Sequence, residues 1–509
     1  MRRRLAALLG AVVSCLLAAG VASRTAGVAR AAPQPSGPSC ASLAELSLPD
    51  IRITTAVEVP AAPSGAIRAA HCRVDGVIGS EIRFRLLLPA QWNGKFFMGG
   101  GGGFVGSIQN LALATLNDGY ATVGTDTGHQ GGMTDASWAL NDLERRLNFG
   151  YLAVHRTAEA SKAIIASHYG RPSLRNYFTG CSRGGGQALM EAQRFPADFD
   201  GVVVGAPAYD WTGMAAQMVR NAQAAFPDPA TLGSPAFTED ELTLVETRVL
   251  RACDAGDGVA DGVIDDPREC RFDIDTLPLA APKKAMLKAL YAPTTIGDRE
   301  IYPAQPFGGE GQAEGWPAWI TGSGQAAPAD PPAPPLRFAF GTEIFKYFVF
   351  NDPAWDYSTF DLSHWKEDTG LAATYLNATD PDLTPFETRG GKLILWHGWA
   401  DPALTPLASL RYHDQVYARD PGAAGYFRTF MLPGVLHCSG GNGPDVVDWP
   451  AAIADWVEHG RAPERVVARK MAKGAVSRSR PLCPYPQRAV YSGSGSTDDE
   501  QNFVCRAPR

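Results

Sequence analysis

The chain has 509 residues, of which 45% are hydrophobic and 19% charged, and a formal net charge of −7. That length allows roughly two to four domains' worth of chain and a large core. Mild acidity without a basic cluster after the first residues excludes nucleic acid as the main partner, and 54 glycines with 39 prolines exclude a helical bundle.

Residues 1–31 read as a signal peptide. Arg2, Arg3 and Arg4 precede an apolar run from Leu5 to about Val21, and small residues end at Ala29-Arg30-Ala31, an A-x-A-like cleavage site. The run is short for a membrane anchor, and Pro33, Pro35 and Gly37 follow it. A lipoprotein cysteine at Cys15 fits less well, because Leu17, Ala18 and Ala19 carry the apolar run past it. The mature protein is expected to be secreted or periplasmic, with no stable membrane anchor; its oligomeric state is left open. Cysteine usage agrees with export. Without Cys15 an even set remains, Cys40, Cys72, Cys181, Cys253, Cys270, Cys438, Cys483 and Cys505, which favours disulfides whose pairing the sequence alone leaves open. None of these forms C-x-x-C, which argues against a zinc ribbon.

In chain order, Glu81–Pro89 alternates and reads as a strand, Lys95–Met98 is a second that runs into Gly99–Gly103, and Ala121–Thr125 is a third. An amphipathic helix is expected over His155–Tyr169. Tyr177–Thr179 is a short strand, and Gly180 turns the chain into a helix over Arg183–Arg194. Val202–Val204 and Lys392–Trp396 are apolar runs of the buried-strand kind. Strands alternating with helices predict an α/β fold with a mainly parallel sheet. From Ala208 to about Arg389 the pattern breaks into an acidic loop, a proline-rich stretch at Pro328–Pro335 and many aromatics, a length that suits an inserted domain.

Gly180-Cys181-Ser182-Arg183-Gly184 fits G-x-S-x-G, with a strand before it and a helix after it. A tight strand-to-helix turn exposes the serine hydroxyl, and the helix N-terminus favours a developing oxyanion. A serine hydroxyl needs a base and an orienting carboxylate, which in an α/β-hydrolase fold follow in the order Ser, Asp, His. Asp401 lies just past the strand Lys392–Trp396, and His437 sits in a loop after the apolar run Phe430–Leu432. Ser182, Asp401 and His437 are therefore the candidate triad. His397 precedes the aspartate and reads as a structural residue at the strand end; the other histidines fall in helices or out of order. The backbone N–H groups of Gly103, with Gly102 as a weaker choice, and of Arg183 are the candidate oxyanion hole. In Cys253–Cys270 (CDAGDGVADGVIDDPREC), Asp254, Asp257 and Asp261 offer hard carboxylate oxygens that suit calcium rather than zinc, at a spacing that is not an EF-hand.

Taken together, Gly-Cys-Ser-Arg-Gly-Gly at 180–185, FDGVVVGAPA at 199–208, the acidic phrase and His-Cys-Ser-Gly-Gly at 437–441 resemble the tannase and feruloyl esterase family, which also contains a hydrolase of mono(2-hydroxyethyl) terephthalate. The similarity runs from about Cys40 to LCPYPQ at 482–487. The resemblance implies an α/β-hydrolase core in two parts, 40–207 and 390–509, around a lid at 208–389. It implies disulfides Cys181–Cys438, Cys40–Cys72, Cys253–Cys270 and Cys483–Cys505, and it adds the carbonyls of Val259 and Val263 to Asp254, Asp257 and Asp261 as ligands of one structural Ca2+. It also implies a serine esterase acting on small aromatic esters such as feruloyl or galloyl esters, with some of the lid aromatics (Trp316 to Trp355) lining the acyl pocket. In the terephthalate-monoester relative a lid arginine reads the substrate carboxylate; Glu343 falls at that place here, which weakens that substrate as the reading. A general esterase or lipase is the other enzymatic alternative. A calcium-dependent binding protein on a hydrolase scaffold would be signalled by a missing Ser, Asp or His, and all three are present.

Overall fold

The computed structural model describes residues 37–323 and 334–508. The signal-peptide reading over 1–31 and most of the proline-rich stretch fall outside the described residues. Seven strands come first: β1 (Ile51–Val59), β2 (His71–Ile78), β3 (Ile82–Pro89), β4 (Lys95–Gly99), β5 (Ala121–Thr125), β6 (Arg175–Cys181) and β7 (Gly201–Gly205). A short hairpin of β8 (Thr294–Ile296) and β9 (Arg299–Tyr302) follows, then β10 (Lys392–Gly398) and β11 (Phe427–Leu432).

Nine of these strands form one sheet in the order β1-β2-β3-β5-β4-β6-β7-β10-β11. The first four in that order pair antiparallel, and the run from β5 to β11 is parallel. The apolar runs explain the centre. Val202–Val204 and Leu393–Trp396 are buried throughout, as parallel strands covered on both faces must be. The helix Ala153–Tyr169 packs against β5 and β3, while Arg183–Arg194 packs on β6 and β7. The helix Trp449–His459 lies on β7 and β10. The antiparallel β1–β2 edge lies outside the elements expected from sequence. β1 is half exposed along its length, and its bridge Cys40–Cys72 pins the N-terminal segment to β2.

The chain leaves the sheet after Gly205 and returns at Lys392, yet β7 and β10 are direct neighbours, with Val203 opposite Ile394 and Gly205 opposite Trp396. The segment between them is therefore an insertion that leaves the C-terminal end of β7 and returns to the N-terminal end of the parallel β10. It has a cluster of its own, including Phe237, Val249, Leu287 and Trp316. Its Ile344, Phe345 and Phe348 are buried instead in the same apolar cluster as the sheet's Phe84, Phe178 and Val204. After the last sheet strand two further hairpins close the chain: β12 (Val466–Ala472) with β13 (Ala475–Leu482), and β14 (Arg488–Tyr491) with β15 (Phe503–Arg506), which Cys483–Cys505 ties down. Among the described residues no helix is long and apolar enough to cross a membrane.

Candidate active site

Ser182 sits between β6 and the helix Arg183–Arg194 with φ 62° and ψ −122°, a left-handed conformation rare for a residue with a side chain. Such a position costs about 1–3 kcal/mol and persists only when its surroundings impose it. Here they do. The serine N–H donates to the Gly205 carbonyl at 3.0 Å, and its own carbonyl accepts from Ala208 at 2.9 Å. A Cβ on Gly180 would come within 2.3 Å of the Gly184 carbonyl carbon, so the turn closes only with glycine there. The Arg183 side chain is buried away from any acid. Its guanidinium lies 4.3 Å from the Phe149 ring and 5.3 Å from that of Trp211, Nη2 donates to the carbonyls of Phe149 and Gly150, and burial pushes its pKa down to about 9.

Asp401 follows β10, and His437 follows β11, so adjacent parallel strands deliver both to the same end of the sheet as Ser182. His437 Nδ1 lies 2.8 Å from Asp401 Oδ2. That contact leaves Nε2 of the ring to handle a proton. Asp401 is fully buried, and its Oδ1 accepts from the N–H groups of Ala403 at 2.7 Å and Leu404 at 3.0 Å. Burial alone would raise its pKa, but His437 and His397 beside it hold the carboxyl far below its ordinary value. The disulfide Cys181–Cys438 joins the residue before Ser182 to the residue after His437, with 5.9 Å between Cα atoms. The other three bridges are formed as the resemblance implied.

His397 lies at the end of β10, as the sequence suggests; it is buried, and it also contacts the candidate triad. Its Nε2 is 3.0 Å from Asp401 Oδ2, the oxygen that also meets His437, and its Nδ1 is 2.8 Å from Ser409 Oγ. The signal for this contact in the sequence was the i,i+4 spacing to Asp401.

Of the glycine loop, Gly100 N–H donates to Thr179, Gly101 N–H to Gln187 Oε1 and Gly102 N–H to Gln109 Oε1. No acceptor among the described residues meets the N–H of Gly103, which takes φ 56° under the Met133 carbonyl. The Arg183 N–H, at the first position of its helix, has no acceptor within the helix either. Above His437 the Trp319 ring packs edge-on at 4.9 Å, Trp319 stacks on Phe340 at 6.1 Å, and Phe340 meets Phe104 at 5.1 Å. Trp319 and Phe340 are half-buried. Trp316 and Phe345, by contrast, are core. Glu343 is half-buried and accepts the Ala136 N–H at 3.1 Å, with burial raising its pKa.

The acidic loop is clamped at its ends by Cys253–Cys270. Asp254 accepts the N–H groups of Asp261 and Gly262 at 3.1 and 3.0 Å, Asp257 accepts that of Val259 at 2.9 Å, and Asp261 pairs with Arg480. Burial, together with the neighbouring Asp261 and Asp254 charges, pushes Asp257 up to about 6. Asp265, absent from the sequence-based ligand set, is driven by burial and by Asp257 to about 7. Carboxylates crowded out of water offer the hard oxygen donors that suit a divalent cation, while Arg480 and Arg478 supply positive charge at Asp261. The loop is also close in space to the candidate triad, although far in sequence: Val263 packs on Gly434, and Asn442 reaches the Gly262 carbonyl at 3.4 Å. A separate group, His155, Glu191 and Asp198, brings three potential ligand atoms within 4.8 Å of one another. Lys162 Nζ lies 3.0 Å from Asp198 Oδ1 and already supplies positive charge there.

A parallel sheet with a strained serine at a strand-to-helix turn and an Asp–His pair on the next strand ends is an α/β-hydrolase fold. Residues 66–506 match the family model described as tannase and feruloyl esterase, and the chain belongs to that family. Mono(2-hydroxyethyl) terephthalate hydrolase of Piscinibacter sakaiensis is 33% identical over 88% of this chain and 87% of its own length. The probable feruloyl esterase B-2 of Aspergillus terreus is 30% identical, with 91% and 93% covered. Among solved structures, feruloyl esterase B from Aspergillus oryzae is 27% identical and superposes with a TM-score of 0.81 over 92% of this chain and 99% of that one. The protein is thus a carboxylic-ester hydrolase acting on a small-molecule ester.

Proposed function

We propose that Ser182, His437 and Asp401 are the catalytic triad of an exported esterase that cleaves esters of aromatic, phenolic acids. The observation that carries the reading is the Asp401–His437 contact at 2.8 Å, held beside Ser182 by the Cys181–Cys438 bridge. Ser182 Oγ attacks the ester carbonyl carbon while His437 Nε2 takes its proton. The N–H groups of Gly103 and Arg183 receive the oxyanion of the tetrahedral intermediate. Collapse breaks the bond to the alcohol oxygen, which leaves with the proton from His437. Water then attacks the acyl-serine, gives its proton to His437, and the acid departs as Ser182 recovers its hydrogen. Asp401 stays ionised throughout and orients the imidazole.

Trp319 and Phe340, contributed by the 208–389 lid and half-buried beside His437, supply an apolar wall for a flat acyl ring. The names of the feruloyl esterase relatives point the same way. Glu343, in the place where the resemblance puts a carboxylate-reading arginine, would repel an acyl group that carries a free carboxylate. Asp254, Asp257 and Asp261, with the carbonyls of Val259 and Val263, would hold one Ca2+, whose contribution is to lock the loop. Export is supported by four disulfides. The test is turnover of methyl ferulate, methyl gallate, mono(2-hydroxyethyl) terephthalate and p-nitrophenyl palmitate by wild type and Ser182→Ala. Preference for the first two, with several orders of magnitude lost in the variant, is expected. Near-normal turnover in Ser182→Ala overturns the triad, and preference for either of the other esters overturns the substrate class.

A further inference from the structure

The two histidines that meet Asp401 do not have the same surroundings. His437 is partly open, with its side chain 10% exposed, whereas His397 is sealed at 1%. Every contact of the His397 ring can be assigned a direction. Nε2 faces Asp401 Oδ2 at 3.0 Å and the Leu404 carbonyl at 3.2 Å, both acceptors at neutral pH, so Nε2 carries the hydrogen. In the neutral ring Nδ1 is then an acceptor, and Ser409 Oγ at 2.8 Å donates to it. The hydrogen bonds thus run from Ser409 to His397 to Asp401, and from His437 to the same carboxylate oxygen.

We infer that His397 is a positioning residue for this esterase, which holds Asp401 Oδ2 toward His437 and moderates the negative charge it presents there, and that Ser409 fixes the tautomer this requires. The inference rests on the triad proposed above. Its geometric content is the pinning of both carboxylate oxygens. The N–H groups of Ala403 and Leu404 hold Oδ1, and without His397 nothing among the described residues but His437 itself holds Oδ2. Its electrostatic content is a sharing of one lone-pair oxygen between two donors. Removing the His397 donor leaves more charge facing the His437 ring, which favours the protonated imidazole. A protonated ring cannot accept the hydrogen of Ser182.

Other charged groups nearby stay constant between variants. Arg337 donates to the Ala403 carbonyl behind Asp401, Asp445 accepts the Gly440 N–H, and Glu314 stands beside Gly440. Their contribution to the pH profile therefore cancels in a comparison.

The experiment measures kcat/KM against pH for wild type, His397→Leu, His397→Gln and Ser409→Ala with a chromogenic ester, per active site titrated with a fluorophosphonate. Melting temperatures are recorded alongside. For His397→Leu, kcat falls by roughly ten- to a hundred-fold with KM little changed, and the acid limb moves up by about half to one pH unit. His397→Gln, whose amide N–H reaches toward the Nε2 position, restores the limb and most of kcat. Ser409→Ala shows a smaller shift of the same sign, which carries the test if His397→Leu does not fold. A merely structural role would lower melting temperature or the titrated fraction and leave the limb of the remaining sites in place. An unmoved limb in both Ser409→Ala and the folded His397 variants overturns the inference. Ser182→Ala, assayed in parallel, separates this failure from that of the triad, since only the latter leaves turnover in Ser182→Ala.

Discussion

Cys181 and Cys438 are 257 positions apart in the chain and 5.9 Å apart at their Cα atoms, and the bridge between them flanks Ser182 on one side and His437 on the other. The backbone is constrained on both sides of it, since Ser182, next to Cys181, has φ 62° and Cys438 itself has φ 64°. A covalent tie at that point limits relative drift of the two loops, to which proton transfer is sensitive.

The double variant Cys181→Ala/Cys438→Ala is therefore expected to lose about 2–5 kcal/mol of stability, as native bridges of exported domains do, and most of its activity even well below its own melting temperature. Assays at a temperature where circular dichroism shows the variant folded separate the two effects. A free, alkylatable Cys181 in active wild-type enzyme would overturn the bridge as the operative form.

Calcium in the 253–270 loop should act beyond that loop. Val263 packs on Gly434 and Asn442 touches Gly262, so the loop supports the segment that carries His437. Chelation is expected to lower the melting temperature, and added Ca2+ to restore it, because a ligand bound only to the folded state stabilises it by mass action. Amide hydrogen exchange in residues 434–443 should rise on chelation as well. Metal analysis that finds no calcium in protein purified without chelator would count decisively against the site.

The central sheet was legible in sequence because its signals are local. The runs at Val202–Val204 and Lys392–Trp396, and the glycines around Ser182, each state their own conformation. The order Ser, Asp, His did the same for the candidate triad. What escaped were relations between distant residues of ordinary type. β1 alternates too weakly to announce an edge strand, and none of its residues is buried. Nothing local marks Asp266 as a buried carboxylate, or Arg337 as a core residue, because charged side chains are read as exposed by default. His397 was visible four positions before Asp401, but its bond to the carboxylate follows from the turn after β10 and not from the spacing alone.

Arg337 provides a test of how the inserted segment reaches the reacting groups. It sits at 1% exposure in the helix Leu336–Glu343 and donates to Asn221 Oδ1 and Gln305 Oε1, each at 2.6 Å, and to the Ala403 carbonyl at 3.2 Å. Gln305 in turn donates to the Asp401 carbonyl at 2.8 Å. Burial lowers the Arg337 pKa to about 10, with the Asp401 charge opposing it. Arg337→Met would leave three buried acceptors without this donor, at about 1–3 kcal/mol each. It should lower melting temperature and kcat together, and Arg337→Lys should not rescue either, because one ammonium cannot reproduce the fork. Wild-type kcat in a folded Arg337→Met would show that the insert does not position Asp401.

The last prediction concerns acid stability. His413 is buried at 4% exposure with Nδ1 2.9 Å from Thr429 Oγ1, and the rings around it, Tyr417, Phe427 and Tyr485, are all neutral at physiological pH. Burial pushes its pKa from 6.5 down to about 4. Between those values the unfolded chain binds a proton that the folded protein refuses, so stability is full above about pH 6.5 and drains as pH falls toward 4. The span corresponds to a loss of roughly 3 kcal/mol from this one residue. His129, lowered to about 4 by burial, acts in the same direction, while Asp126, raised to about 6 by burial, acts against it. Asp257 and Asp265, raised to about 6 and about 7, also titrate in this window, so the net profile mixes several groups, but a substitution at 413 isolates one. His413→Gln keeps a polar partner for Thr429 and removes the titration. Its melting temperature should fall less than that of wild type between pH 7 and pH 5, with the two curves converging in shape above pH 7. Parallel curves across that window would mean that His413 takes up its proton in the folded state as readily as in the unfolded one.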